Sequence, residues 1–275
     1  MDAVLRSAPD VDVLSVTFPI PGMGFLPINA FVLHAEEPVL IDAGPTLDPA
    51  GEPNVDRFMN ALSESIDPVD LRWIWITHTD HDHIGALNAV LEAAPNARVV
   101  TSFIGLGKMS TVNPLPIHRI FLLNHGQTLS VGDRTLTAFR PPSFDAPETE
   151  GLYDGKSGAL FSSDCFGGLL SAPQTDLRAS APRDLRDAIT FWATVDAPWL
   201  HQVDINALAT SLEAVRAFSP SAIYSAHLPP AFDLTEEILG ALAAAPGAPP
   251  FVGPDQAAML ARLGAITGAA PSTTA

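Results

Sequence analysis

Cysteine is nearly absent from this chain. Its 275 residues include one, Cys165, so no disulfide can form within it. Basic residues are also scarce, with 14 Lys and Arg against 31 Asp and Glu, a formal net charge of −17. A chain so poor in cations cannot neutralise a phosphate backbone, which excludes nucleic acid as a partner, and the same deficit excludes an anionic membrane surface. No apolar run reaches the ~20 residues of a membrane span. Residues 1–10 carry early acids and no long apolar stretch, unlike a secretory leader. These absences point to the cytoplasm. Present instead is a 47% hydrophobic composition, enough for a sizeable core. The acidic excess has two readings: solubility, since most surface carboxylates are simply solvated, or cation binding at particular positions.

The first ~75 residues read as strands. Val11 to Phe18 alternates, and Ile28 to His34 with Pro38 to Ile41 suggests a hairpin that ends in the turn Asp42-Ala43-Gly44-Pro45. Val55 to Ile66 has helical spacing. Leu71 to Ile76 is a short apolar strand, followed by a histidine-rich loop and a helix from Ile84 to Ala94. Further strands are expected at Arg98 to Thr101, Arg119 to Leu123, Gln127 to Val131, Arg134 to Arg140, Gly158 to Ser162 and Ala222 to Ser225. The stretch from Gly105 to Pro116 reads as a mobile segment. Helices are expected near Arg183 to Ala197 and Ile205 to Phe218. Strands in both halves with helices outside imply an α/β fold of two sheets. Residues 1–243 form one domain in this reading, and 244–275 a short helix near Asp255 to Leu263 with a flexible tail.

The chemistry is concentrated in one loop. His78, Asp80, Asp82 and His83 fall within six residues, directly after a buried strand. A strand end is rigid, and the loop beyond it can curl several side chains towards one point. Imidazole and carboxylate are standard ligands for zinc, iron and manganese. A helix N-terminus also favours aspartate, so Asp82 alone could be a cap, but that leaves the histidines unexplained.

The segment Thr77-His78-x-x-x-Asp82-His83-x-Gly85 resembles the signature loop of the metallo-β-lactamase superfamily, T-H-x-H-x-D-H-x-G, with Asp80 in place of the second histidine. A carboxylate there is similar to the flavodiiron proteins and the stand-alone oxygen-binding di-iron proteins. Leu160-Phe161-Ser162-Ser163-Asp164-Cys165-Phe166-Gly167 resembles their L-F-S-N-D-A-F-G segment, whose aspartate bridges two metals. Leu40 to Gly44, with Asp42, is similar to the strand and turn supporting the metal loop. Phe191-Trp192-Ala193 and Ala197-Pro198 resemble the helix that covers the site, and Ile223 to His227 resembles the closing strand and histidine, with Leu228 where the family has glycine. The resemblance covers about residues 11 to 232. It implies a four-layer αββα metallo-β-lactamase sandwich.

It also implies a ligand set. The family supplies a histidine about nineteen residues before the bridging aspartate. Here that place is Asp145, with Glu148 as the alternative. One ion would then be held by His78, Asp80, Asp145 and Asp164, and the other by Asp82, His83, His227 and Asp164. Such an oxygen-rich set without thiolate shifts preference from zinc towards iron or manganese. His81 occupies a spacer position and is expected to point away from the metals or to hydrogen-bond behind the ligands, where Thr77 is also expected. Cys165 reads as a buried small hydrophobe. His201, near Trp199, is a candidate for the pocket wall. Three functions follow: an oxygen-binding or oxygen-reactive di-iron protein, a hydrolase of a small ester, lactone or thioester working through a metal-bound hydroxide, or a binding protein with a degenerate site. No flavin fingerprint is present, so the first needs a separate electron-donating reductase or acts as a sensor. Pro-rich stretches at Phe18 to Pro27 and Leu106 to Pro116 could frame an apolar mouth. A homo-oligomer is compatible with all three.

Overall fold

The apolar alternation at the N-terminus forms an antiparallel meander: β1 (Ala3–Ala8), β2 (Val11–Ile20), β3 (Gly24–Leu33) and β4 (Val39–Ile41). The structure, a computed structural model, describes residues 3–112, 115–177 and 181–267. The same sheet continues through β5 (Trp73–Trp75), β6 (Arg98–Thr101) and β7 (Ile120–Leu122), each parallel to the strand before it. Parallel neighbours need crossovers. These are supplied by α1 (Val55–Ser65), α2 (His81–Ile84), α3 (Leu87–Ala93) and α4 (Phe103–Val112).

The second sheet holds β8 (Thr128–Ser130), β9 (Thr135–Phe139), β10 (Gly151–Asp154), β11 (Ala159–Phe161), β12 (Ala222–Tyr224) and β13 (Ala231–Phe232). Its order is β13-β12-β11-β10-β9-β8, antiparallel except between β11 and β12. The β11–β12 crossover carries α5 (Pro182–Asp196), a 3₁₀ turn at Pro198–Gln202 and α6 (Ile205–Ala217). After β13 come α7 (Thr235–Ala244) and α8 (Gln256–Thr267).

Three buried clusters define four layers. Between the sheets lie Val13, Phe31, Ile41, Trp75, Leu136, Leu152, Phe161 and Tyr224. Phe161 stacks on Tyr224 at 4.9 Å, and Phe31 meets both rings edge-on. Outside the first sheet, Phe58, Leu62, Leu87 and Val90 of α1 and α3 cover Leu40 and Ile74. Outside the second, Leu185, Ile189, Leu208, Leu212, Ile238 and Leu242 of α5, α6 and α7 cover Leu160 and Ile223. The fold is the αββα sandwich.

Three local expectations change. The stretch from Gly105 to Pro116 is not a loose segment at its start but the helix α4, up to Val112; residues 113 and 114 lie outside the described ones. Ser102 accepts a hydrogen bond from the Gly105 amide at 3.1 Å, an N-terminal cap. A Cβ on Gly105 would lie 2.3 Å from Thr101 Oγ1, so glycine marks a close approach here. The helix expected from Ile84 to Ala94 is broken between α2 and α3, where the Gly85 and Ala86 amides donate to the Gly44 and Ala43 carbonyls at 2.8 and 3.0 Å; a Cβ on Gly85 would meet the Pro45–Thr46 backbone at 2.4 Å. The short strands β1 and β10 and the helix α7 were not expected, and α7 packs into the same core as α5. The expected tail falls, from residue 268 on, outside the described residues.

Candidate metal centre

Strand direction brings the site together. β4 and β5 are parallel in one sheet, and β11 and β12 in the other. Their C-terminal ends share one rim of the sandwich, the usual place for a site in such sheets. Asp42 follows β4, Thr77 to His83 follow β5, Ser163 and Asp164 follow β11, and Ser225 to His227 follow β12. Asp145 lies in the β9–β10 connection. Two backbones there are left-handed, Asp42 at φ 60° and Ser163 at φ 57°. Such positions favour glycine or asparagine and turn the chain sharply at the strand ends.

The side chains converge. Asp164 Oδ1 lies 3.0 Å from His83 Nε2, and its Oδ2 lies 3.2 Å from His227 Nε2 and 3.7 Å from His78 Nε2. Asp82 Oδ2 sits 3.5 Å from both His83 Nε2 and His227 Nε2. Asp145 Oδ1 is 3.9 Å from His78 Nε2. Ligand atoms lie within 4.8 Å of one another in each of four groups: His78, His83 and Asp164; Asp82, His83 and His227; His78, Asp80 and Asp145; and Asp145, Asp164 and Asp196. Asp164 lies between the two halves, as a bridging ligand must.

Hydrogen bonds behind the ligands fix the imidazole tautomers. His227 Nδ1 donates to the Pro27 carbonyl at 3.0 Å, and His83 Nδ1 donates to Asp42 Oδ2 at 2.8 Å. The Thr77 hydroxyl donates to the same Asp42 oxygen at 2.8 Å. Its proton spent, Thr77 accepts from the Ser163 hydroxyl at 3.0 Å, and Ser163 then accepts from His78 Nδ1 at 3.1 Å. All three rings therefore carry the proton on Nδ1 and turn an Nε2 lone pair to the centre. Buried His78 Nε2, His83 Nε2 and Asp164 Oδ1 have no hydrogen-bond partner. Buried polar atoms are normally satisfied, and a cation between them would satisfy all three. The residues fit a pair of metal ions.

The electrostatics agree. Burial alone would raise Asp164, yet His227, His78 and His83 hold it well below the usual carboxylate range. Burial would depress His227, but Asp164 and Asp82 raise it to about 9. His83 is raised in the same way against its burial, chiefly by Asp82 and Asp164. Burial raises Asp145, and it pushes Asp196 up to about 8, with Asp164 and Asp145 adding to the effect. Two carboxylates about 5 Å apart repel by about 3 kcal/mol at an effective dielectric of 20. The centre therefore demands positive charge.

The family model described as ODP family beta lactamase matches residues 28–227, which takes in every residue of this centre. The chain belongs to the ODP family of β-lactamase-fold proteins. Curated relatives of this ODP-family chain include a nitric oxide reductase of Moorella thermoacetica, 22% identical over 70% of this chain and 48% of its own length. Another is the rubredoxin-oxygen oxidoreductase of Megalodesulfovibrio gigas, 27% identical over 53% of this chain and 35% of its own length. The chain thus spans half or less of the length of these relatives. Among solved structures, the flavodiiron protein from Giardia intestinalis superposes with a TM-score of 0.76 at 15% identity, covering 90% of this chain and 60% of that one.

Other residues of this ODP-family chain fall around the centre. His81 is exposed; its backbone carbonyl receives the Thr46 amide and hydroxyl, and it makes no ion pair with the cluster. Glu148 is engaged elsewhere, accepting from Thr79 at 2.6 Å and pairing with Lys108, so the structure brings Asp145 and not Glu148 to His78. His201 is not brought to the site: its Nδ1 faces the Pro246 carbonyl at 3.4 Å. Cys165 is buried against Ser143 at 3.2 Å, and burial pushes its thiol up to about 12, so it is no nucleophile. Sequence reasoning missed Ser163, Asp196, the Pro27 carbonyl and the closeness of Trp192. Trp192 Nε1 donates to the Asp164 carbonyl at 3.2 Å while its ring packs 4.9 Å from His227. Gly167 permits this, since a Cβ there would lie 2.6 Å from Trp192 Nε1 and 2.8 Å from His227 Cβ. The positive φ of Ser163 belongs to the fold, and a serine in the sequence gives no sign of it. Asp196 gave none either, being one helical acid among several.

Proposed function

We propose that this protein holds two iron ions and binds or reduces a small diatomic oxidant, dioxygen or nitric oxide. The carrying observation is the oxygen-rich centre around Asp164, with three pre-set imidazole lone pairs and at least four convergent carboxylates. His78, Asp80, Asp145 and Asp164 hold one ion; Asp82, His83, His227 and Asp164 hold the other. Hard carboxylate donors favour iron or manganese over zinc. Two ferrous ions so placed supply electrons to a bound diatomic molecule. The oxidoreductase names of the relatives support this reading.

The residues at the mouth support it too. A pocket of about 370 Å³ opens on Asp82 and is lined by Phe18, Ile28, Pro45, Thr46, Leu47 and His81. An apolar gas partitions readily into such a wall. Reduction, as distinct from binding, needs an electron donor. The test is to load the chain anaerobically with ferrous iron, then mix it with dioxygen or nitric oxide while following gas uptake and the optical spectrum. Uptake with a new charge-transfer band supports the reading. No uptake, with turnover of a chromogenic ester or lactone, transfers the assignment to a hydrolase.

A further inference from the structure

We propose that Asp196 is an additional metal ligand, a fourth carboxylate on the ion held by His78, Asp80, Asp145 and Asp164. The inference rests on the two-ion reading above and goes beyond its seven residues. Asp196 is the last residue of α5, the helix that covers the rim. Its carboxylate shares a group with Asp145 and Asp164 in which the ligand atoms lie within 4.8 Å of one another. Acids so close are common on surfaces, and Asp145 is exposed, but this trio is anchored on a buried group. Asp164 is only 5% exposed, and its Oδ1 lacks a hydrogen-bond partner. The buried His78 Nε2, equally unpartnered, stands 3.9 Å from Asp145. Among the described residues no lysine or arginine pairs with Asp145, Asp164 or Asp196. Three carboxylates so close, with no lysine or arginine among them, offer one ion a set of donors that all three supply.

The consequence is an asymmetric pair. The ion on the Asp145 side meets one imidazole and up to four carboxylates. The ion on the Asp82 side meets two imidazoles, His83 and His227, and two carboxylates. The first position is therefore the harder one, matched to manganese or iron, and the second is the more nitrogen-rich. Proximity of Asp196 to the Asp145 position also explains how an aspartate can stand where the family has a histidine: a second carboxylate supplies the donor strength that one short side chain lacks.

The test is an anaerobic titration of chelator-stripped protein with Mn²⁺, counting free ion by its electron paramagnetic resonance signal. Wild type, Asp196→Asn, Asp145→Asn and Asp82→Asn are compared, with Asp187→Asn on the same helix as the control. Wild type is expected to bind two ions. Asp196→Asn and Asp145→Asn should each weaken one and the same step at least tenfold, Asp82→Asn the other step, and Asp187→Asn neither. Thermal melting of the stripped Asp196→Asn chain at or above the wild-type temperature shows that it is folded. Two ions bound by Asp196→Asn with wild-type affinity overturn the role of Asp196 and leave the two-ion reading standing. Fewer than two ions on wild type overturn both.

Discussion

Asp42→Asn tests whether the residues behind the ligands set the imidazoles. Asp42 is 1% exposed and takes three hydrogen bonds: from the Thr77 amide on Oδ1, and from the Thr77 hydroxyl and His83 Nδ1 on Oδ2, each at 2.8 Å. An asparagine has one acceptor oxygen and one NH₂ donor. If its oxygen faces the Thr77 amide, its NH₂ faces His83 Nδ1 and drives the proton to Nε2, so that a hydrogen replaces the lone pair aimed at Asp164. If it is flipped, the Thr77 amide is buried without an acceptor, at about 1–3 kcal/mol. Loss of such a supporting partner typically lowers metal affinity 10–100-fold, about 1.4–2.7 kcal/mol at 1.36 kcal/mol per tenfold. The weakened step should be the one that Asp82→Asn also weakens, because His83 belongs to that half. Calorimetric metal titration and melting curves of stripped protein read the two branches separately. Both ions binding at wild-type affinity, with an unchanged melting temperature, would refute the claim that Asp42 sets the His83 tautomer.

Other substitutions have equally definite outcomes. Asp164→Asn should abolish tight binding of both ions, since Asp164 faces His78, His83 and His227 at once; retention of two ions by elemental analysis would remove its bridging role. His81→Ala, at an exposed side chain, should leave metal content unchanged, and a lost ion would place His81 among the ligands. Gly167→Ala should destabilise the fold by about 1–3 kcal/mol through overpacking against Trp192 and His227, and a denaturation midpoint equal to wild type would disprove the contact. Glu150 is 1% exposed, neither of its oxygens has a hydrogen-bond partner, His125 Nε2 stands 3.9 Å from Oε1, and burial pushes the carboxyl up to about 7 against the pull of Arg140. A folded pKa above the unfolded value of 4.5 means that the wild type loses stability as pH rises from about 4.5 to about 7. Glu150→Gln should remove that slope and be more stable than wild type at pH 8 by up to about 3 kcal/mol. Parallel stability–pH curves would refute this.

The sandwich and most of its metal loop were legible in the sequence because their signals are local. Val11 to Phe18 alternates, and His78 to His83 packs four candidate ligands into six residues after an apolar strand. Asp164 and His227 were legible through the resemblance of Leu160 to Gly167 and of Ile223 to His227 to the family's segments, and the parallel pairing of β11 with β12 carries both to one rim. What was not legible depends on distant partners. Whether Asp145 or Glu148 reaches His78 is decided by Lys108 and Thr79, which take up Glu148. The Ser163–Thr77–Asp42 chain joins three strand ends, so no spacing along the sequence encodes it. Helix α4 was obscured by Gly105 and Gly107, residues of low helix propensity, although Gly105 is fitted against Thr101.

A carboxylate-rich pair of iron ions around Asp164 is tested most directly by elemental analysis. The chain is purified anaerobically, with neither metal nor chelator added, from cells supplied with iron, manganese and zinc. Two iron ions per chain are expected, falling to near zero in Asp164→Asn. Zinc at two per chain, or no bound metal in wild type, would contradict it.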